Sequence, residues 1–290
     1  MARLPRIQSQ VALATRYRVS GWSEGAHSSV HAGRSLEFHD VREYVRGDDV
    51  ADIDWKASAR RGSLLVKRHV AERRTTLLIA AATGRSMAAM ASPTARKSDL
   101  LVEAAATLAA LALGHGDYIG TLHWNDGATA GGRPSTRAVQ VEQLLAGLDA
   151  ACRLDADDAD LPRLLDATAT ALRRRSVVAV LCGDVEIDGE LEARLRRLVA
   201  QHEVMLVAVP DLDPTADVGT VVGIHDRRRL PRELLRDRHL REAWRADCAE
   251  RAARRNAALA RLSISSLLLN PEQDVVGQVL TLVRGMRRAA

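Results

Sequence analysis

Thr75-Thr76-Leu77-Leu78-Ile79-Ala80-Ala81-Ala82 is an unbroken apolar run with β-branched residues at its start. A run of this kind is expected of a strand covered on both faces, as in a parallel sheet, because a half-exposed strand would alternate with polar residues. Downstream, Ser98 can cap a helix over about Asp99–Leu113, with Gly114 as its stop. Tyr118–Trp124 reads as a second strand, and Asn125-Asp126-Gly127 as a turn that starts a short hairpin into the Gly131–Ser135 loop.

Helical patterns follow at Arg137–Leu148 and Leu161–Arg175, the second with Asp160 as N-cap and Pro162 in its first turn. Next come strand Val177–Cys182, helix Glu190–Gln201 after Asp188, strand Glu203–Val209 and a further strand at Val218–Ile224. A basic and acidic helix from Glu233 to about Leu262, strand Ile264–Leu269 and helix Glu272–Arg287 close the chain. Such alternation predicts an α/β domain, a mostly parallel sheet flanked by helices. Ligand sites in that architecture lie beyond the carboxyl ends of the strands, here the loops Thr83–Ser86, Asn125–Asp126, Gly183–Glu186 and Asp211–Asp213.

Upstream of residue 75 the character changes. Glycines 21, 25, 33, 47 and 62 break the segment into short pieces, which predicts extended and turn structure, and five of the eight aromatics fall there as expected core residues. Residues 1–76 hold 14 basic and 9 acidic residues, whereas 77–290 hold 28 of each. The expected division is therefore 1–74, a β-rich segment, and 75–290, the α/β domain.

The chain has 290 residues, 47% of them hydrophobic, and a net charge of +5, enough apolar content for a buried core. No stretch is apolar for the ~18 residues that span a bilayer, and MARLPRIQSQ lacks the apolar centre of a signal peptide. A cytoplasmic location is the expectation. Cys152, Cys182 and Cys248 share no metal-binding spacing. Only Lys56, Lys67 and Lys97 among 42 basic residues are lysine, read as coding bias.

Nucleotide-binding glycine loops are missing from the sequence. Gly21-Trp22-Ser23-Glu24-Gly25 spells a nucleophile elbow, but neither the buried strand before it nor the helix after it is present in the pattern. Glu37, Asp40, Glu43, Asp48, Asp49, Asp52 and Asp54, with His39, are dense enough for a metal-dependent phosphoesterase. Arg42, Arg46, Arg60 and Arg61 are close enough to neutralise them as an ion-pair network instead. Lys56–Arg74 carries seven bases against Glu72 alone and could meet phosphates, yet its SLLVKRHV alternation is also that of a surface strand.

The run Gly33–Arg74, GRSLEFHDVREYVRGDDVADIDWKASARRGSLLVKRHVAERR, resembles the signature of bacterial domain-of-unknown-function family 58. The matching pieces are Glu37-Phe38, Arg42-Glu43-Tyr44, Gly47-Asp48-Asp49, Ile53-Asp54-Trp55, Ser58-Ala59-Arg60, Val66-Lys67 and Glu72-Arg73. The resemblance implies a von Willebrand factor A-like, Rossmann-like sheet over 75–290. It also implies a non-enzymatic adaptor role beside a MoxR-type AAA+ ATPase, without a cofactor. Asp48, Asp49, Asp54, Trp55 and Arg60 are the candidate partner-binding residues.

A-domains of this kind often hold a divalent ion on an Asp-x-Ser-x-Ser loop, completed by a Thr and an Asp, because hard oxygens suit Mg²⁺. Here the matching positions are Ala82, Gly84 and Ser86, with Thr136 or Ser135 for the Thr and Asp184 for the last Asp. Too few carboxylates remain, so loss of the metal is expected, with a metal-dependent ligand-binding domain as the alternative. Arg85 is then a candidate counter-charge for Asp184.

Overall fold

The computed structural model describes residues 3–14, 38–45, 50, 53–69, 74–215, 220–231, 233, 235 and 237–289. The chain divides into two units, residues 23–74 and residues 1–22 with 75–290.

In the larger unit six strands lie in one sheet: β3 (Thr76–Ala81), β4 (Tyr118–Asn125), β5 (Ala128–Ser135), β6 (Val177–Gly183), β7 (Glu203–Val209) and β8 (Ser265–Leu268). Their order is β5-β4-β3-β6-β7-β8, and every neighbouring pair is parallel except β4 and β5. The chain leaves β3 toward β4 and later returns to β6 on the other side, so the topological switch lies between β3 and β6.

Alternation along these strands builds two cores. Leu77, Ile79, Ala81, Val177, Ala179, Leu181, Met205 and Val207 face α3 (Lys97–Gly114), α4 (Ala138–Ala151) and the last helix, α8 (Val275–Ala289). Val178, Val180, Cys182, Val204, Leu206 and Ala208 face α5 (Leu161–Ala171), α6 (Gly189–Val199) and the end of α7 (Arg238–Arg261). Helix α3 is apolar nearly all round and buried through most of its length, as a helix enclosed by other helices and the sheet must be. Asp160 and Asp188 cap α5 and α6 as read from the sequence, each accepting a first-turn N–H.

Several expectations need correction. Helix α3 starts at Lys97, and its N-cap Arg96 makes no side-chain cap. Residues 131–135 are not a loop: they belong to β5, the antiparallel edge strand. In the expected strand Val218–Ile224 the described residues show only an isolated bridge from Val222 to Arg229. The first residues also depart from the expected division, since Leu4–Ala14 forms α1 and groups with the larger unit. Leu4, Ile7 and Val11, at helical spacing, are buried in the same core as α3, and the Glu142 carboxylate accepts the backbone N–H groups of Arg3 and Leu4 at 2.7 and 2.9 Å.

The smaller unit pairs β1 (Phe38–Glu43) antiparallel with β2 (Leu65–His69) and adds α2 (Trp55–Arg61). Asp54 caps α2 through Ala57 N–H at 2.9 Å, and Gly62 closes it with φ 74°. Buried Ser58 donates to Asp54 O at 2.7 Å and accepts Leu65 N–H at 2.8 Å, which ties α2 to β2.

Candidate site at the carboxyl rim of the sheet

The switch between β3 and β6 brings Ala82 and Asp184 to one rim. Ala82 donates its N–H to Leu181 O at 2.8 Å, and buried Thr83 donates its hydroxyl to Trp124 O. Gly84 follows with φ 115°, and a Cβ there would stand 2.2 Å from Asp157 O. Only glycine admits both the dihedral and the approach of that loop. Residues 152–160, between α4 and α5, therefore pack directly on this turn. Arg85 donates its backbone N–H to Asp157 O at 3.3 Å and its Nε to Ala156 O at 3.2 Å, while Ser86 N–H reaches Asp158 Oδ1 at 3.1 Å.

Four rim carboxylates face basic side chains of the same chain. Asp184 pairs with Arg255 of α7, a guanidinium only 3% exposed. Asp211 accepts from Lys97 Nζ at 2.5 Å, and that side chain is also 3% exposed. Asp158 Oδ2 lies 3.1 Å from His225 Nδ1, and Asp126 lies 2.8 Å from Arg153. Lys97 is held close to the sheet, because a Cβ on Gly183 would come within 3.3 Å of its Nζ. A compact ammonium suits that gap better than a planar guanidinium. The rare lysine has a packing reason there, which coding bias does not supply.

The rim offers no activated nucleophile among its cysteines. Burial pushes the Cys182 thiol up to about 12 even though Arg255 and Lys97 pull it down. Burial does the same to Cys152, also to about 12. Thiols so far above neutrality are overwhelmingly protonated and inert. Burial also lowers the pKa of His123, so its imidazole stays neutral. Among the described residues no three His, Cys, Asp or Glu side chains converge where they could hold a metal ion.

The sequence positions fare unequally. Ala82, Gly84, Ser86 and Asp184 come together at this rim. Thr136 does not: β5 runs back against β4, with Ser135 opposite Ile119 at the start of β4, so Thr136 sits at the opposite, amino-terminal rim. Ser135 accepts Arg137 N–H at 3.0 Å there. The loop that does meet Gly84 and Ser86 is 156–158, which the sequence reading passed over.

Arg85 is a second correction, since its Nε is used on Ala156 O and Arg255 supplies the charge at Asp184. Arg255 had a signal in the sequence, for it occupies the apolar stripe of α7 with Ala258, Leu259 and Leu262. In the smaller unit Asp54 is a helix cap, whereas Trp55, expected in the core, is 63% exposed, and Arg60 on the same helix is exposed too. Asp48, Asp49, Glu37, Asp52 and the Gly21–Gly25 elbow lie outside the described residues, as do the side chains of His39 and Asp40.

A six-stranded, mostly parallel sheet with one antiparallel edge, helices on both faces and a loop cluster at the switch gives the larger unit the α/β architecture expected of a von Willebrand factor A-like domain. The chain belongs to the family described as protein of unknown function DUF58, whose model matches residues 40–256. It is 28% identical over 287 residues to the uncharacterized protein Rv1480 of Mycobacterium tuberculosis, covering 96% of this chain and 88% of that one. The uncharacterized protein Mb1516 of Mycobacterium bovis matches to the same extent.

Among solved structures, the conserved hypothetical protein BatB from Bacteroides thetaiotaomicron aligns with a TM-score of 0.47 at 11% identity, over 74% of this chain and 99% of that one. A von Willebrand factor type A structure from Catenulispora acidiphila gives 0.38 at 12% identity, over 77% and 43%. No helix among the described residues is long and apolar enough to cross a membrane.

Proposed function

We propose that this protein is a non-enzymatic interaction module, an adaptor that works with a MoxR-type AAA+ ATPase in chaperone-like assembly in the cytoplasm. The rim carries the reading. Asp126, Asp158, Asp184 and Asp211 each face a basic side chain of their own chain, so an incoming divalent ion at Asp184 or Asp211 would have to displace the buried cation Arg255 or Lys97. Neither Ala82 nor Gly84 brings an oxygen ligand from its side chain. The domain is then a preassembled scaffold in which internal cations stand in for the metal.

The partner surface in this reading is α2 with Asp48, Asp49, Asp54, Trp55 and Arg60. Exposed Trp55 and Arg60 are the residue types that dominate binding energy at protein interfaces. Binding of the purified chain to the AAA+ ATPase of its own genome, followed by surface plasmon resonance, is the direct test. Trp55→Ala and Arg60→Glu should weaken it by about tenfold each. An ATPase that shows no binding at micromolar concentration would refute the partnership.

The alternative, a metal-dependent ligand-binding domain, rests on Ser86, Asp158 and Asp184 sharing one rim. Titration calorimetry with Mg²⁺ or Mn²⁺ separates the two. Stoichiometric heat abolished by Asp184→Asn would favour the metal; no heat at millimolar ion favours the scaffold.

A further inference from the structure

Asp226–Arg261 holds 12 arginines and 6 acidic residues, a net of +6 in a chain whose total is +5. Its first part is a hairpin: Gly223 N–H donates to Arg228 O at 2.9 Å, Leu230 N–H donates to Val221 O at 2.9 Å, and Arg227 takes φ 56° at the tip. Arg227, Arg228 and Arg229 are all exposed, and none forms an ion pair among the described residues. His225 ties the hairpin to Asp158.

Helix α7 continues the feature. None of its side chains from Arg238 to Arg254 is buried, a length of about 25 Å at 1.5 Å per residue. A helix that is polar all round needs side-chain pairs to hold it, and α7 has them at i,i+4: Arg238 with Glu242, Asp247 with Arg251 and Glu250 with Arg254. These pairs occupy the carboxylates. Arg245 stays 65% exposed and reaches Asp213 only at 4.0 Å. Amid this charge Leu240 and Trp244, one turn apart, are 47% and 37% exposed, and the Arg251 guanidinium lies 5.6 Å from the Trp244 ring.

We infer that the 221–230 hairpin and the exposed face of α7 form a docking surface for an acidic protein segment. Carboxylates of that segment meet Arg227, Arg228, Arg229 and Arg245, and an apolar side chain packs on Leu240 and Trp244. Charge complementarity names the partner's chemistry. A nucleic acid suits the surface less well, because Asp237, Glu242, Asp247 and Glu250 stand on the same helix and would oppose a continuous phosphate backbone. The surface uses none of the residues of α2, and the inference holds whether or not the AAA+ partnership does.

Fluorescence anisotropy with a labelled glutamate-rich peptide of about 20 residues containing two leucines tests it, alongside a labelled DNA duplex. Replacing Arg227, Arg228 and Arg229 together by Glu should cut peptide affinity by more than about tenfold, and Trp244→Ala by about fivefold. The same charge reversal at exposed Arg173, Arg174 and Arg175 should change it by less than about twofold. Thermal unfolding of each variant confirms that the fold is kept. The inference is overturned if the peptide does not bind, if the control triple weakens it equally, if Trp244→Ala leaves it unchanged, or if DNA binds more tightly than the peptide.

Discussion

Arg254 and Arg255 are neighbours in sequence and opposites in environment. Arg254 is 46% exposed and shares Glu250 and Glu186 at 2.6 and 3.1 Å, whereas Arg255 is 3% exposed and faces Asp184 at the sheet rim. One step along α7 turns the guanidinium from solvent to core, since consecutive helical residues point about 100° apart. The same residue type thus serves two ends: fixing the rim as a closed ionic scaffold, and presenting charge outward along a helix. What separates them is water, which surrounds both members of one pair and reaches only the carboxylate of the other.

The sharpest way to break that contrast is to delete the buried partner. Arg255→Ala removes the buried counter-charge of Asp184 and should cost about 3 kcal/mol in urea unfolding, the low end for a buried pair because Asp184 itself is 26% exposed. Combining Arg255→Met with Asp184→Leu should recover most of that loss, because an apolar pair of similar volume replaces a buried ion pair with little penalty. If Arg255→Ala costs less than about 1 kcal/mol, the rim pair does not hold the scaffold together.

Next in size is the turn that brings loop 152–160 to the rim. Gly84→Ala forces a side chain into φ 115° and against Asp157 O, and should destabilise by about 3 kcal/mol. Gly127→Ala, also at positive φ (80°) but with nothing near its Cβ, should cost about 1 kcal/mol. Equal losses at the two sites would show that backbone conformation, and not the close approach, makes Gly84 necessary.

This turn also shows where sequence reasoning reached its limit. The strands of the larger unit were legible because burial on both faces leaves continuous apolar runs, as in Thr76–Ala81 and Val177–Gly183. The loops 83–86 and 183–186 were placed at one rim for the same reason, and the family resemblance singled out Ala82, Gly84, Ser86 and Asp184 there. Thr136 went astray because Gly131–Ser135 has little apolar content and reads as a loop, so the hairpin begun at Asn125–Gly127 seemed short and its run along β4 to the other rim was invisible. Arg255 is 71 residues from Asp184, and the pairing of two distant charges leaves no local period. Trp55 misled through composition: an aromatic is usually buried, and the fact that Trp55 follows a cap on a short exposed helix emerges only with Asp54 and Gly62 in place.

A smaller effect follows from buried imidazoles. His123 and His202 both have pKa values lowered by burial from the usual 6.5, and neither ring nitrogen of His202 has a hydrogen-bond partner. Their folded pKa values lie below those of the unfolded chain, so the unfolded state takes up more protons as pH falls through 6.5. Stability should be full above that pH and decline below it, seen as a lower urea midpoint at about pH 5.5 than at about pH 7.5. His202→Leu should flatten the decline. A midpoint that rises on acidification would contradict the sign.

The smallest expected change belongs to the exposed half of the comparison. Arg254→Ala removes two surface pairs and should shift stability by only about 0.5 kcal/mol, because exposed ion pairs gain little over hydrated ions. Its salt response separates it from Arg255. In 1 M NaCl the screening length falls to about 3 Å, so the wild type and Arg254→Ala should become nearly equal. Most of the Arg255→Ala deficit should persist, since the guanidinium is only 3% exposed and Asp184 is 26% exposed. Were the Arg255 deficit to fade with salt to the same extent, ions would have to reach the pair through the exposed part of Asp184. The division between inward and outward charge along α7 would then lose its physical basis.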